Sequence, residues 1–304
     1  MIKFTFLGTS SAFPTKTRNH PSVYLELGGS RVLFDCGEGT QRQIRRAGLS
    51  PSVSDVFITH WHGDHSLGLG GIIQSLNMMG KSELRVYGPE GTTSSVRSLM
   101  FAYRFDKRIK VSAKAVKAQK ETKVAEIGDY EVFALDVKHM VKCLAYKLKE
   151  KDRINIDPVK LKKYGIKPGP YLKALKEGKD VKVNGVKLRA RDLTYLKRGK
   201  TLVYMTDFAY DDKLAKFARN ADVLISESTF LSDMGDKAKK FMHLTVHDAI
   251  KLAKKSGSKK LFIIHTSQRY EGDSAVLDDI NRQKALLKYS FDVVLPNDLD
   301  SFML

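Results

Sequence analysis

The sequence predicts an α/β protein, on three observations. Strand-like apolar runs alternate with helical segments along the 304 residues, four of those runs end on a histidine or an aspartate, and glycine-rich turns punctuate the connections. The length suits one domain carrying an insertion as well as it suits two, and the core is large enough to need no staples. Only Cys36 and Cys143 occur, and neither belongs to a metal-binding pair, so buried apolar thiols in a reducing cytoplasm are expected. No window approaches a membrane span. A net charge of +19 implies a polyanionic partner, with nucleic acid favoured over a membrane surface because no terminus forms a basic amphipathic helix.

In chain order, Met1-Ile2-Lys3-Phe4-Thr5-Phe6-Leu7 alternates like a strand and lacks the long apolar stretch of a secretory leader. Residues 22–27 alternate again, and Arg31-Val32-Leu33-Phe34 runs into the turn Asp35-Cys36-Gly37-Glu38-Gly39-Thr40 before a polar helix over 41–47. Val56-Phe57-Ile58 then releases Thr59-His60-Trp61-His62-Gly63-Asp64-His65, in which three imidazoles and a carboxylate fall within six residues. Imidazole and carboxylate without thiolate suit Zn²⁺ or a neighbouring divalent ion and leave coordination positions open for water, so this loop is expected to hold a catalytic metal. A buried helix is expected over 67–76, its small residues approaching the sheet. A strand and turn over 84–89, a helix over 92–103 and a basic stretch over 107–120 follow.

More donors are expected at other strand ends, because a dinuclear site needs more than one loop supplies. Residues 131–138 lead to His139, residues 201–206 to Asp207, and residues 260–264 to His265. Strands hold the groups on their terminal loops rigidly, so the recurrence supports a site built where those ends meet. The buried strand over 221–226 ends at Glu227-Ser228-Thr229, and His243-Leu244-Thr245 starts a helix through 253, with His247 on the surface. Residues 151–200 differ in character, with 16 Lys or Arg against 5 Asp or Glu, a net of +11, and Gly165, Pro168, Gly169, Pro170, Gly178 and Gly185 breaking any long element. This is the expected inserted arm. Its charge suits a grip on the backbone of structured RNA, and its few aromatics leave little to base stacking.

The ordered pattern His-x-His-x-Asp-His resembles the signature of the metallo-β-lactamase superfamily, and Asp35 and Gly37 stand where that superfamily has an Asp-x-Gly element thought to brace the metal loop. Pro14-Thr15-Lys16-Thr17-Arg18-Asn19 resembles the Pro-x-Lys-x-Arg-Asn loop of the transfer-RNA 3′-processing endonucleases called tRNase Z or RNase Z. His139-Met140-Val141-Lys142-Cys143-Leu144-Ala145-Tyr146, His265-Thr266-Ser267-Gln268-Arg269-Tyr270 and the arm's Gly169-Pro170 are similar to that family too, whereas Met205-Thr206-Asp207-Phe208 departs from its usual Gly-Asp-Thr form.

The resemblance implies an αββα metallo-β-lactamase sandwich as a single domain over 1–304, with a flexible basic arm, the tRNA-binding exosite, inserted at 151–200. It implies two Zn²⁺ per subunit, with Mn²⁺ or another divalent ion as the alternative. His60, His62 and His139 would hold one ion and Asp64, His65 and His265 the other, with Asp207 shared. Asp64 would orient the attacking water, and Glu227 would orient His243 to protonate the leaving oxygen. Lys16, Arg18, Asn19 and Arg269 would contact the RNA, with Lys16 and Arg18 as phosphate donors. The expected protein is a cytoplasmic homodimer that removes the 3′ trailer of precursor tRNA. One alternative is a small-molecule phosphodiesterase, arylsulfatase-like hydrolase or thioesterase on the same fold, which keeps every ligand but has no use for the arm. Another is a non-catalytic RNA-binding module, against which the intact donor set argues.

Overall fold

Alternation decides the layers. In β1 (Ile2–Gly8), β2 (Ser22–Leu27) and β3 (Ser30–Phe34), the side chains of Phe4, Phe6, Val23, Leu25, Val32 and Phe34 enter one buried cluster, while Leu7, Tyr24 and Leu33 on the opposite face enter another. β4 (Asp55–Phe57), β5 (Glu83–Gly88) and β6 (Lys110–Ala115) extend this sheet in parallel. β7 (Thr122–Ile127), β8 (Tyr130–Val137) and β9 (Cys143–Glu150) start a second sheet. The short strands β10 (Arg153–Ile156), β11 (Val181–Val183), β12 (Val186–Leu188) and β13 (Thr194–Lys197) make two separate antiparallel pairs. β14 (Thr201–Met205), β15 (Val223–Glu227), β16 (Lys260–Ile264) and β17 (Asp292–Val294) complete the second sheet, and β18 (Ser301–Met303) returns to pair with β1. Among the described residues each large sheet has seven strands, in the orders β18-β1-β2-β3-β4-β5-β6 and β17-β16-β15-β14-β9-β8-β7. This computed structural model describes residues 1–103 and 109–304, so residues 107 and 108 of the expected basic stretch lie outside the described residues.

The sheets share one apolar cluster, in which Phe4, Phe34 and Phe57 of the first meet Tyr146, Tyr204 and Phe262 of the second. Helices Thr40–Arg46, Leu69–Met78 and Thr92–Ala102 cover the outer face of the first sheet, and Lys213–Phe217, Val246–Ser256 and Ser274–Leu287 that of the second. The architecture is therefore the expected αββα sandwich. β14, β15 and β16 pair in parallel and are buried on both faces, which is why they read as unbroken apolar runs. The helix Val246–Ser256 is bounded by a reciprocal Thr245–Asp248 capping box at its start and Gly257 at its end.

Two compact units form, Met1–Lys149 with Thr201–Leu304, and Glu150–Lys200. The second holds the helices Pro158–Lys163 and Tyr171–Lys176 and a small apolar cluster of Leu161, Ile166, Leu175, Leu188, Ala190 and Leu193. One expectation is corrected. The glycine-rich helix begins at Leu69, Leu67 is 66% exposed, and the close approach is made to the turn after β3: a Cβ on Gly68 would lie 2.0 Å from the Gly37 carbonyl oxygen.

Candidate active site

The donors converge because three strands end in the same unusual backbone. Asp35, Asp207 and His265 follow β3, β14 and β16 with φ of 55°, 55° and 58°, the left-handed region that L-residues avoid. Each such residue costs about 1–3 kcal/mol, which the surrounding sheet must offset, and such strain characteristically gathers at functional sites. The turn directs each side chain inward. Gly37 is needed in the same place, since a Cβ there would lie 2.3 Å from the Asp64 carbonyl oxygen.

Asp35 ties the loop to both sheets. It accepts hydrogen bonds from the Thr59 amide (2.7 Å) and hydroxyl (2.9 Å), from His65 Nδ1 (2.7 Å), and from the Tyr204 hydroxyl (2.9 Å), which reaches across from β14. The aspartate brace expected from the Asp-x-Gly turn is thus a fully buried hydrogen-bond hub.

Four imidazoles follow one rule. Nδ1 is anchored to the scaffold and Nε2 faces inward: His60 Nδ1 lies 3.1 Å from Thr59 Oγ1, His65 Nδ1 meets Asp35, His139 Nδ1 lies 3.4 Å from the Met242 carbonyl, and His265 Nδ1 lies 2.9 Å from Thr229 Oγ1. Inside, His60 Nε2 and His62 Nδ1 are 2.9 Å apart, His65 Nε2 and His265 Nε2 3.4 Å, and Asp207 Oδ1 lies 3.1 Å from His265 Nε2. Ligand atoms of His60, His62, His139 and Asp207 all lie within 4.8 Å of one another, as do those of Asp64, His65, Asp207 and His265, so Asp207 belongs to both groups.

This donor set fits divalent cations. His139 Nε2 and Asp207 Oδ1 are buried and make no hydrogen bond, an arrangement that costs free energy unless something else is bound there. Burial holds His60 and His139 below the ordinary imidazole value, favouring the neutral ligand form. Burial pushes the Asp64 and Asp207 carboxyls up, but His65 and His265 outweigh it and hold both below the carboxylate range. Burial likewise opposes charge on His65, yet Asp207, Asp35 and Asp64 raise it well above the usual value, so a bound cation would take the place of that proton.

Beside these donors stands the pair Glu227–His243. Fully buried Glu227 accepts from the Phe208 amide (2.9 Å), the Leu244 amide (3.1 Å) and the Thr229 hydroxyl (2.7 Å), and both its oxygens lie 3.1 Å from His243 Nδ1. Burial disfavours the imidazolium, but Glu227 outweighs it and raises His243 to about 9. A positioned imidazole that holds a proton at neutral pH can act as a general acid. A cavity of about 310 Å³ opens onto His62, Asp64, His139, Asp207, His243 and His265.

The expected RNA-contacting residues separate. Lys16 is exposed, and Arg269 is exposed and lines the cavity. Arg18 does not present a phosphate donor: its guanidinium is 5% exposed, forms a bidentate pair with Asp273 (3.0 and 2.6 Å), and donates to the Pro296 carbonyl (2.7 Å) and the Thr9 hydroxyl. Asn19 is also buried, donating from its side chain to the Glu38 carbonyl (2.7 Å) and from its amide to Asp298 (2.7 Å). Both hold the loop of residues 14–19 in shape. His247 is half-buried against Gln283 (2.8 Å) rather than free on the surface. Cys36 and Cys143 are buried free thiols. Sequence reasoning misses the roles of Thr59, Tyr204, Thr229 and Asp298. Tyr204 reads as one more apolar strand residue, and only the Glu227-Ser228-Thr229 stretch carries a usable signal.

The chain is similar to several known proteins. Over 284 residues the chain is 37% identical to a ribonuclease Z of Methanococcus maripaludis, covering 92% of this chain and 90% of that one. Two solved structures share the fold: human tRNase Z, short form (23% identity, TM-score 0.70, 99% of this chain and 98% of that one), and the metallo-β-lactamase fold protein YhfI of Bacillus subtilis (18%, 0.69, 99% and 98%). Residues 2–156 also match the family model described as anti-Pycsar protein Apyc1, a match that contains the loop of residues 59–65 and His139 but ends before Asp207, Glu227, His243 and His265.

Proposed function

The chain belongs to the ribonuclease Z family, and on that premise we propose that it is an endoribonuclease that removes the 3′ trailer of precursor tRNA by phosphodiester hydrolysis, leaving a 3′-hydroxyl on the tRNA. The observation that carries this reading is the pair of donor groups sharing Asp207 and opening, with His243, into one cavity. His60, His62 and His139 would hold one zinc ion, Asp64, His65 and His265 a second, and Asp207 both. Bound there, such ions would supply neutralisation of the phosphate charge and a lowered pKa for water.

The chain's own residues do the rest. Asp64 orients the attacking water, His243 delivers its proton to the departing ribose 3′-oxygen, and Glu227 keeps the imidazole charged and aimed. Thr229 links this dyad to His265, so that the acid and the metal donors belong to one hydrogen-bonded group. Residues 151–200 grip the tRNA backbone through charge, Lys16 meets a phosphate, and Arg269 contacts the RNA where it lines the cavity. We assign the protein to the cytoplasm as a homodimer. Among the described residues no helix is long and apolar enough to cross a membrane.

The test is incubation with a 3′-extended precursor tRNA, with and without a chelator, followed by end mapping. A single chelator-sensitive cut that leaves a 3′-hydroxyl is expected. A protein that leaves the precursor intact while hydrolysing a small chromogenic phosphodiester would move the small-molecule reading ahead.

A further inference from the structure

The cavity contains an aromatic surface that the chemistry above does not use. Phe241 ends the helix Gly235–Phe241 and lines the cavity, yet it is 41% exposed. An exposed phenyl beside a polar site leaves apolar surface in water that a ligand can cover. It is held firmly: Met242 takes a left-handed backbone (φ 56°), its amide returns to Lys239, and the His243 amide returns to Ala238 (2.9 Å). The rings of Phe241 and buried Phe230 are stacked with centroids 6.5 Å apart at 24°, and the Phe230 ring lies edge-on to His243 with centroids 6.2 Å apart. The phenyl platform and the proton donor are thus fixed two residues apart at one helix terminus.

Resting on the reading of His243 as the donor to the leaving 3′-oxygen, we propose that Phe241 forms a nucleobase subsite that stacks the base of the nucleotide carrying that oxygen, on the 5′ side of the scissile phosphate. A ribose whose 3′-oxygen lies at His243 carries its base within reach of the neighbouring ring, and every base has a π face, so the contact serves tRNAs of different terminal sequence. Lys240, exposed and 5.8 Å from the Phe241 ring centroid, adds a cation beside the same nucleotide. Phe241 is a positioning residue: it fixes the bond to be cut and takes no part in the proton transfer.

A double-mutant cycle between protein and RNA tests this. Single-turnover kcat/KM is measured for wild type, Phe241→Ala and Phe241→Tyr on an intact precursor, on one abasic at the 5′ nucleotide, and on one abasic at the 3′ nucleotide. Because a stacked base contributes measurably to binding, Phe241→Ala should lose about tenfold on the intact substrate. It should lose less than about twofold on the 5′-abasic one and the full tenfold on the 3′-abasic one, while Phe241→Tyr stays near wild type. An equal loss on all three substrates would mean a structural role and overturn the subsite, as would no loss at all or a loss abolished only by the 3′-abasic site. Wild-type protein that cuts no precursor would instead overturn the tRNA reading beneath it.

Discussion

The sandwich unit and the unit of residues 150–200 handle charge in opposite ways. In the sandwich, Asp35, Asp207, Glu227, His60, His65 and His265 are at most 3% exposed, and nearly every polar atom among them is matched. In the other unit the side chains of Lys160, Lys179, Lys187 and Arg191 are 52%, 70%, 67% and 76% exposed, and their partners are nearby surface carboxylates. Exposed pairs of that kind contribute about 0–1 kcal/mol to stability, so their excess charge stays available to a polyanion. On the proposed function, the buried, over-determined charge does the bond making and breaking, and the exposed, loosely paired charge holds the large substrate. The two functions should separate under mutation.

The largest effect should come from the buried side. His62→Ala is expected to abolish cleavage while tRNA binding largely persists, because it removes a metal donor and not basic surface. Elemental analysis together with a filter-binding titration checks both halves, and unchanged turnover in protein shown to lack one ion would end the dinuclear reading. Next in size, His243→Ala should slow the chemical step about 10²–10⁴-fold without emptying the metal site. Single-turnover cleavage within a fewfold of wild type would remove His243 from proton donation.

The exposed side supplies the third test. Residues 149 and 201 face each other in the β9–β14 ladder, so a short linker can replace the segment between them. Removing it should weaken precursor-tRNA cleavage severely and leave a small chromogenic phosphodiester nearly untouched. The log–log salt dependence of binding should also flatten, by about 0.9 for each phosphate no longer gripped, taking B-DNA as the guide. Equal activity on both substrates would erase the contrast between the units.

The smallest effect concerns Asp298, which shapes the loop of residues 14–19. Burial raises its carboxyl to about 6 despite the hydrogen bonds from Asn19 and Thr9. A carboxyl with a folded pKa above its unfolded value holds its proton longer in the native state, so stability is lost as pH rises from about 4 to about 6. Relative to wild type, the Tm of Asp298→Asn should therefore climb across that window. A difference in Tm that does not change with pH would show that Asp298 makes no such contribution.

Much of this is legible in the chain because it depends on short-range order. The loop of residues 59–65 announces itself, since four donors on one loop need no partner to be noticed, and each strand that delivers His139, Asp207, His265 or Glu227 ends within two residues of its expected position. Period-two burial and doubly buried parallel strands write themselves into sequence as alternation and as unbroken apolar runs.

What tertiary structure alone decides lies in partners that are distant in the chain. Arg18 reads as a phosphate donor, but Asp273, 255 residues away, claims its guanidinium. Tyr204 reads as core until its hydroxyl meets Asp35 across the sandwich, and Phe241 carries no signal in the sequence at all until the left-handed turn at Met242 sets it near His243. Sequence determines the chemistry of a side chain and the element that carries it. Whether a charge is satisfied internally or offered to a ligand depends on which desolvated group packs against it, and that is known only once the chain has closed on itself.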